Sequence, residues 1–262
     1  KGAVKLENLN CMNTGLTSLD ISENTALKTL VCHSLKINSL DISNNPDLTH
    51  LQCRYIPTLT EINIGANSKL NTIEVMGTGI SSLDVSNAPE LKILRCSDTK
   101  LESLDVSNNP LLQQLSSSNT ELKSIDTSAN SELTHLGLSS THITSLDVSQ
   151  NPKLIQLGCN NTLLSSLDVS GCSSLAELYC TSPSLAWVNL GENSALRTVD
   201  LSSNGKINVT ITGPSFNITE AIPGINPAKV TNMTGAVLDG EVVSGYSAGT
   251  PVTYEYICGT SS

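Results

Sequence analysis

The chain has 262 residues, a formal net charge of -10 and only 3% aromatic residues. An ordinary domain of this length leans more on aromatic bulk, so the composition argues against one conventional globular core. The acidic balance excludes nucleic acid as a partner, because polyanions are met by a basic face, and no run of 18 apolar residues is present to span a membrane.

Leucine sets the organisation: 37 of the 262 residues are Leu, and 36 of these precede residue 202. Such a thin, even spread of apolar mass points to a repeat protein. Lys1 opens in mid-pattern, as a chain does when a leader has been removed, leaving room for a lipid anchor upstream. Leu6, Leu9 and Cys11 already fit the second half of a unit. The first position of the unit then falls on Leu16, Ile37, Leu59, Ile80, Leu101, Leu122, Ile143, Leu164 and Leu185. The interval is 21 residues, except for 22 between Ile37 and Leu59. Positions are numbered from 0 below.

Each unit has two halves, the first reading L-x-x-L-D-V-S-x-N and the second L-x-x-L-x-C. In both, the last two apolar residues are two apart, as in Leu104 and Val106 or Leu94 and Cys96, which is strand alternation. A half-unit is too short for a strand plus a long helix. The expected architecture is a right-handed parallel β coil of about nine to ten rungs, about 4.8 Å per rung. Positions 0, 3, 5, 11, 14 and 16 should form its dry core.

This grammar resembles leucine-rich repeats. The nested ten-plus-eleven version, with LDVSxN and LxC halves, resembles the 21-residue class common in secreted surface proteins of Gram-negative gut bacteria. The resemblance covers roughly residues 4 to 204. It implies a leucine-rich repeat solenoid that is secreted or held at the cell surface, and a non-enzymatic role in protein–protein recognition or cell adhesion. Leucine-rich repeats place Asn or Cys at position 8. Here that column holds Asn24, Asn45, Asn67, Asn109, Asn130, Asn151 and Asn193, with Cys172 once. Its amides should satisfy backbone groups at the turn. Ala88 breaks the column, so a local adjustment is expected there.

The pattern stops near residue 205, although Val209 and Ile211 fit one more strand. Residues 1–213 are therefore assigned to the solenoid and 214–262 to a C-terminal β cap or small β module, since an open solenoid end exposes its core. Within it, AVLDGEVV reads as two strands around an Asp239-Gly240 turn and PVTYEYIC as another strand.

Three columns bear on chemistry. Cys11, Cys32, Cys53, Cys96, Cys159 and Cys180 share position 16, where buried thiols act as small hydrophobes. A spacing near 4.8 Å between rungs looks too wide for disulfides, and there is no C-x-x-C pair for a metal. Position 4 carries Asp20, Asp41, Asp84, Asp105, Asp126, Asp147 and Asp168, with Asn63 and Asn189 in the same slot. These should face solvent, with flanking Ser residues and turn amides offsetting their repulsion and no calcium bound. Positions 13, 15 and 17 instead vary from rung to rung. A face in which every rung differs suits recognition. Its richest stretch contains His50, Arg54, Tyr55, Glu74, Met76 and Arg95, with the extra residue read as a bulge within Arg54–Thr58. Arg, Tyr and Met are favoured at interface cores.

Trp187 replaces Ser at position 2 and is expected to pack against the C-terminal cap. The four histidines show no metal or catalytic spacing, so no catalytic residue, metal or cofactor is assigned. Sequons at Asn160, Asn208, Asn217 and Asn232 carry little weight in a Ser/Thr/Asn-rich chain. The leading reading is a binding scaffold at a bacterial surface for a protein partner or surface glycan. Its alternatives are a glycan-binding surface lipoprotein and a β-helix polysaccharide-degrading enzyme. The latter is disfavoured because no insertion exceeds one residue, leaving no cleft wall.

Overall fold

The computed structural model describes residues 3–191, 194–201, 205–211, 216–217, 230–234, 237–239, 242–244 and 252–258. The described residues contain no helix and form a parallel β-solenoid of about nine turns. Two compact units divide the chain, Lys1–Leu133 and Thr134–Ser262.

In the first unit, positions 13–15 of successive rungs form three-residue strands: Thr29–Val31, His50–Gln52, Thr72–Glu74, Ile93–Arg95 and Gln114–Ser116, preceded by Asn8–Asn10. They pair in parallel, one repeat apart, so that Leu30, Leu51, Ile73, Leu94 and Leu115 stack in one fully buried column. The second unit repeats this with His135–Gly137, Gln156–Gly158, Glu177–Tyr179 and Thr198–Asp200. Alternation in so short a strand points the middle residue inward and its two neighbours outward, although Thr72 and Glu74 are buried as well.

The opposite side forms regular strand pairs more sparingly. Ser39–Asp41 pairs with Glu61–Asn63, and Ser166–Asp168 with Trp187–Gly191. In both pairs the second rung carries Asn, not Asp, at position 4. Asn63 donates its amide to Asp41 at 3.2 Å and Asn189 donates to Asp168 at 3.1 Å. Each of these hydrogen bonds replaces a like-charge contact, although Asp147 and Asp168 also bridge in parallel without that substitution. The next-but-one residues, Gly65 and Gly191, have positive φ. A Cβ on either would come within 2.6 Å of the Ser in the preceding rung. Asn-x-Gly thus works as one substitution for Asp-x-Ser.

The interior follows the columns. Positions 0, 3, 5, 11, 14 and 16 are buried through most rungs, but Leu16 is 39% exposed. Asn109 donates to the carbonyls of Val85 and Ala88, and Asn130 to those of Val106 and Asn109. Asn45 makes the same pair of bonds to Ile21 and Asn24. Cys172 fills this slot as a weak donor, its sulfur 3.4 Å from the Val148 carbonyl. Asn193 lies outside the described residues. No adjustment occurs at Ala88: its N–H donates to Val85 and its carbonyl accepts from Leu91, as in the regular rungs. The turn is set by backbone bonds within the rung, so losing the side chain does not reshape it.

A corner column was not anticipated. Position 18 takes a left-handed conformation at Asn13, Ser34, Tyr55, Gly77, Asp98, Asn119, Ser140 and Asn161. The threonine that follows at position 19 closes the corner by donating back to the position 16 carbonyl, as Thr78, Thr99, Thr120, Thr141 and Thr162 do. Tyr55 is therefore a regular corner residue. The extra residue is absorbed after it, where Ile56 is fully buried and a Cβ at Gly79 would lie 2.5 Å from the Pro57 carbonyl oxygen.

The cysteine column also differs from expectation. Cys32 and Cys53, on adjacent rungs, form a disulfide with Cα atoms 4.9 Å apart. That separation lies within the range a disulfide accepts, because side-chain torsions close the gap left by the rung rise. Cys11, Cys96, Cys159, Cys172 and Cys180 are buried and not disulfide-bonded. Burial pushes the Cys96 thiol up to about 11. Position 16 also holds a fully buried Ser117.

In the second unit the strand Gly205–Ile211 pairs in parallel with Trp187–Gly191 and antiparallel with Val252–Cys258, on which Val230–Thr234 also pairs antiparallel. Val237–Asp239 and Val242–Ser244 pair in antiparallel fashion, with Phe216–Asn217 beside the latter. Asp239 is thus the last residue of its strand; Gly240, and residues 212–215 around the assigned boundary at 213, lie outside the described residues.

Candidate partner-binding face

Three of the six residues singled out from sequence meet at one point. Glu74, at position 15, is outward by alternation yet only 5% exposed. Its Oε1 accepts from Arg95 Nη1 at 2.8 Å, one rung further on. Its Oε2 lies 3.4 Å from Arg54 Nε, one rung back, an ion pair without an aligned hydrogen bond. The arginine side chains cover the carboxylate and remain 32% and 39% exposed. A carboxylate removed from water needs such compensation, and two guanidiniums provide it.

Two further residues complete the network and were missed from sequence. Arg54 donates from both its backbone N–H and its Nε to His33 Nδ1, at 3.2 and 3.3 Å. Those donors require an unprotonated Nδ1. Burial and then the Arg54 charge hold the His33 imidazole below its ordinary value, against smaller opposing effects of Glu74 and Gln52. At the other end Arg95 Nη2 donates to Gln114 Oε1 at 2.9 Å. The signal was available: His33 shares position 17 with Arg54, and Gln114 is position 13 of the rung after Arg95. Long side chains on adjacent rungs reach diagonally.

Tyr55 stands beside this network, 59% exposed. Its φ is 57° and its N–H donates to the Met76 carbonyl at 2.8 Å. Gly77, the corner residue of the next rung, leaves space for the ring: a Cβ there would sit 3.0 Å from Tyr55 Cδ1. Met76 is half-buried. His50 is exposed, with Nδ1 2.8 Å from Thr49 Oγ1, and is in register with Thr72. The six residues therefore lie on three consecutive rungs; Arg54, Glu74 and Arg95 are joined directly, whereas His50 belongs to a separate contact.

The aspartate side is built differently. Asp41, Asp84, Asp105, Asp126, Asp147 and Asp168 each accept at Oδ1 from the backbone N–H two residues on, at 2.9 Å. The serine side chain and N–H at Ser107 hold Asp105 below the usual carboxylate range, and Ser86 does the same for Asp84. Each rung thus satisfies its own carboxylate. Among the described residues no group of three or more His, Cys, Asp or Glu is arranged to hold a metal.

In the second unit the variable face carries Gln156 Nε2 donating to Glu177 at 2.7 Å and the Tyr179 hydroxyl 3.2 Å from the same carboxylate. Trp187 is half-buried, its indole N–H donating to Thr210 Oγ1 at 3.0 Å. It anchors the strand Gly205–Ile211 rather than presenting a free ring.

No protein-family model and no curated protein matches the sequence. Solved structures do. The functional domain of InlJ from Listeria monocytogenes, reported to include a cysteine ladder, superposes with a TM-score of 0.67 at 26% identity. The match covers 80% of this chain and 50% of that one, so this chain spans about half the length of its neighbour. A leucine-rich repeat protein of Leptospira interrogans gives 0.54 at 19% identity, over 79% of this chain and 62% of the other. A chain of the LRIM1/APL1C complex gives 0.55 at 18%, over 79% and 49%. No helix among the described residues is long and apolar enough to cross a membrane. Taken with the 21-residue register and the asparagine ladder, these likenesses identify the fold as a leucine-rich repeat solenoid.

Proposed function

We propose that the chain is a non-enzymatic scaffold at a bacterial cell surface that binds a protein partner through positions 13, 15 and 17, centred on His50, Arg54, Tyr55, Glu74, Met76 and Arg95. The observation carrying this reading is the Arg54–Glu74–Arg95 network beside an exposed tyrosine. Among the described residues it occurs once, it is not needed to close a rung, and it fixes two guanidiniums that would otherwise be mobile. Preorganised Arg next to Tyr is what an interface hot spot requires. A glycan platform at Trp187 is not favoured, since its indole N–H is already engaged. Residues 214–262 serve in this reading as the cap, supported by the change from parallel to antiparallel pairing after Ile211.

The test compares capture of host matrix proteins by the full chain, by Tyr55→Ala with Arg95→Ala, and by Ser103→Tyr on the aspartate side, alongside a glycan array. A protein retained by the wild type and by Ser103→Tyr, and weakened by about 2 kcal/mol or more in the double variant, is the expected result. Loss on Ser103→Tyr alone places the contact on the opposite face.

A further inference from the structure

We propose that the site around Arg54 and Arg95 takes an acidic peptide segment of its partner, a carboxylate side chain flanked by an apolar residue. This rests on the binding-face reading above and deepens it.

Charge placement is the first observation. Over the first unit, positions 13, 15 and 17 run from Asn8, Asn10 and Met12 to Gln114, Ser116 and Ser118, and the only acidic or basic residues among them besides histidines are Arg54, Glu74 and Arg95. His33 accepts from Arg54 and is held in its neutral form. Two guanidiniums against one carboxylate leave one positive charge on this face, in a chain whose net charge is -10. The corresponding face of the second unit carries Glu177 and Asp200 and no Lys or Arg.

Geometry is the second. Glu74 is buried beneath the arginines, so it is spent as an anchor and cannot itself meet a partner's cation. The contacts to Glu74, His33 and Gln114 engage part of each guanidinium, which offers five N–H donors. The remaining donors belong to side chains about one-third exposed, fixed two rungs apart, about 10 Å at the strand spacing. Guanidinium donors match a carboxylate bidentately. The exposed Tyr55 ring and the Met76 side chain provide the apolar neighbour.

A long polyanion is the poorer fit. A sulfated polysaccharide needs a run of basic residues, whereas here a single excess positive charge sits within an acidic molecule that repels it at long range. A short segment with one or two carboxylates gains the local contact without that penalty.

The experiment pans a displayed random 12-residue peptide library on the full chain and measures the enriched peptides by fluorescence anisotropy, with heparin as a second probe. Enrichment in Asp or Glu next to an apolar residue is expected. Affinity should fall about tenfold or more in Arg95→Gln, much less in Arg95→Lys, and on raising salt from low to high. Affinities are compared below each variant's own melting transition, because Arg95→Gln removes part of the cover of Glu74, and Tyr55→Ala gives a second variant that leaves Glu74 paired. Peptides that depend on Tyr55 but carry no acid overturn the acidic-partner inference and leave the face intact. Peptides indifferent to both Tyr55 and Arg95 overturn the face as well. Heparin binding tighter than any peptide, binding only to a second copy of this chain, or no enrichment at all each overturns the inference.

Discussion

The two sides of a rung solve the same problem, an outward carboxylate, in opposite ways. At position 4 the aspartate turns back on its own rung, accepting from the N–H two residues later, and needs nothing from its neighbours. At position 15 Glu74 has no such local donor and depends on side chains 20 and 21 residues away. The first arrangement can be copied indefinitely, which is why it recurs. The second works only where Arg, Glu and Arg fall on consecutive rungs. A solenoid therefore separates what stacks from what recognises: columns that are satisfied within one rung, and networks that require several.

The largest expected effect breaks the network. Arg54→Ala with Arg95→Ala strips both cations from a carboxylate that is 5% exposed and should destabilise the fold by about 3 kcal/mol. Adding Glu74→Gln removes the uncompensated charge and should restore much of the loss, a coupling visible in a denaturant-melt cycle. Asp105→Asn on the other side should leave the melting temperature nearly unchanged. Equal losses at both sites would erase the distinction.

A smaller effect sharpens the column side. Asn109→Ala removes two buried bonds to the carbonyls of Val85 and Ala88, each of which keeps its backbone bond from Ala88 or Leu91, at a cost of about 2 kcal/mol. The natural gap at Ala88 allows the reverse test. Its turn already has the regular backbone bonds, so Ala88→Asn should add about 1 kcal/mol, read in the same melts. At Ser117 the buried hydroxyl lacks a strong partner, its polar neighbour being the Cys96 thiol. Ser117→Cys, matching the column, should also stabilise by about 1 kcal/mol.

The columns were legible in sequence because they repeat: nine occurrences fix the register, the inward Leu and Cys positions and the outward Asp. What was not legible depends on single pairs. The Cys32–Cys53 bond looks no different in sequence from Cys159 and Cys180, since rung spacing alone permits both contact and bond. The left-handed corner at position 18 hid behind unlike residues, because Tyr55 and Asp98 give no turn signal comparable to Gly77. For Glu74, alternation gives an outward direction but not cover, and the cover comes from Arg54 and Arg95.

The smallest effect tests whether the network reaches past its ion pairs, through pH. His33 is held below its ordinary value of 6.5 by burial and by Arg54. The unfolded chain therefore takes up the proton first as pH falls, and the folded state loses stability from 6.5 downward until the folded imidazole also protonates. Above 6.5 the contribution is fully present. The aspartates act in a lower window: hydrogen bonds from Ser43, Ser86 and Ser107 hold Asp41, Asp84 and Asp105 below 3.8, so their contribution is complete above 3.8 and is lost as pH falls through the depressed values. Melting temperature against pH should thus fall in two separate steps. His33→Gln should remove the upper step and leave the lower one, since a glutamine oxygen can accept from Arg54 without titrating. A single acid transition, identical in both proteins, would detach His33 from the Arg54–Glu74–Arg95 network and return it to the ordinary variable residues of the face.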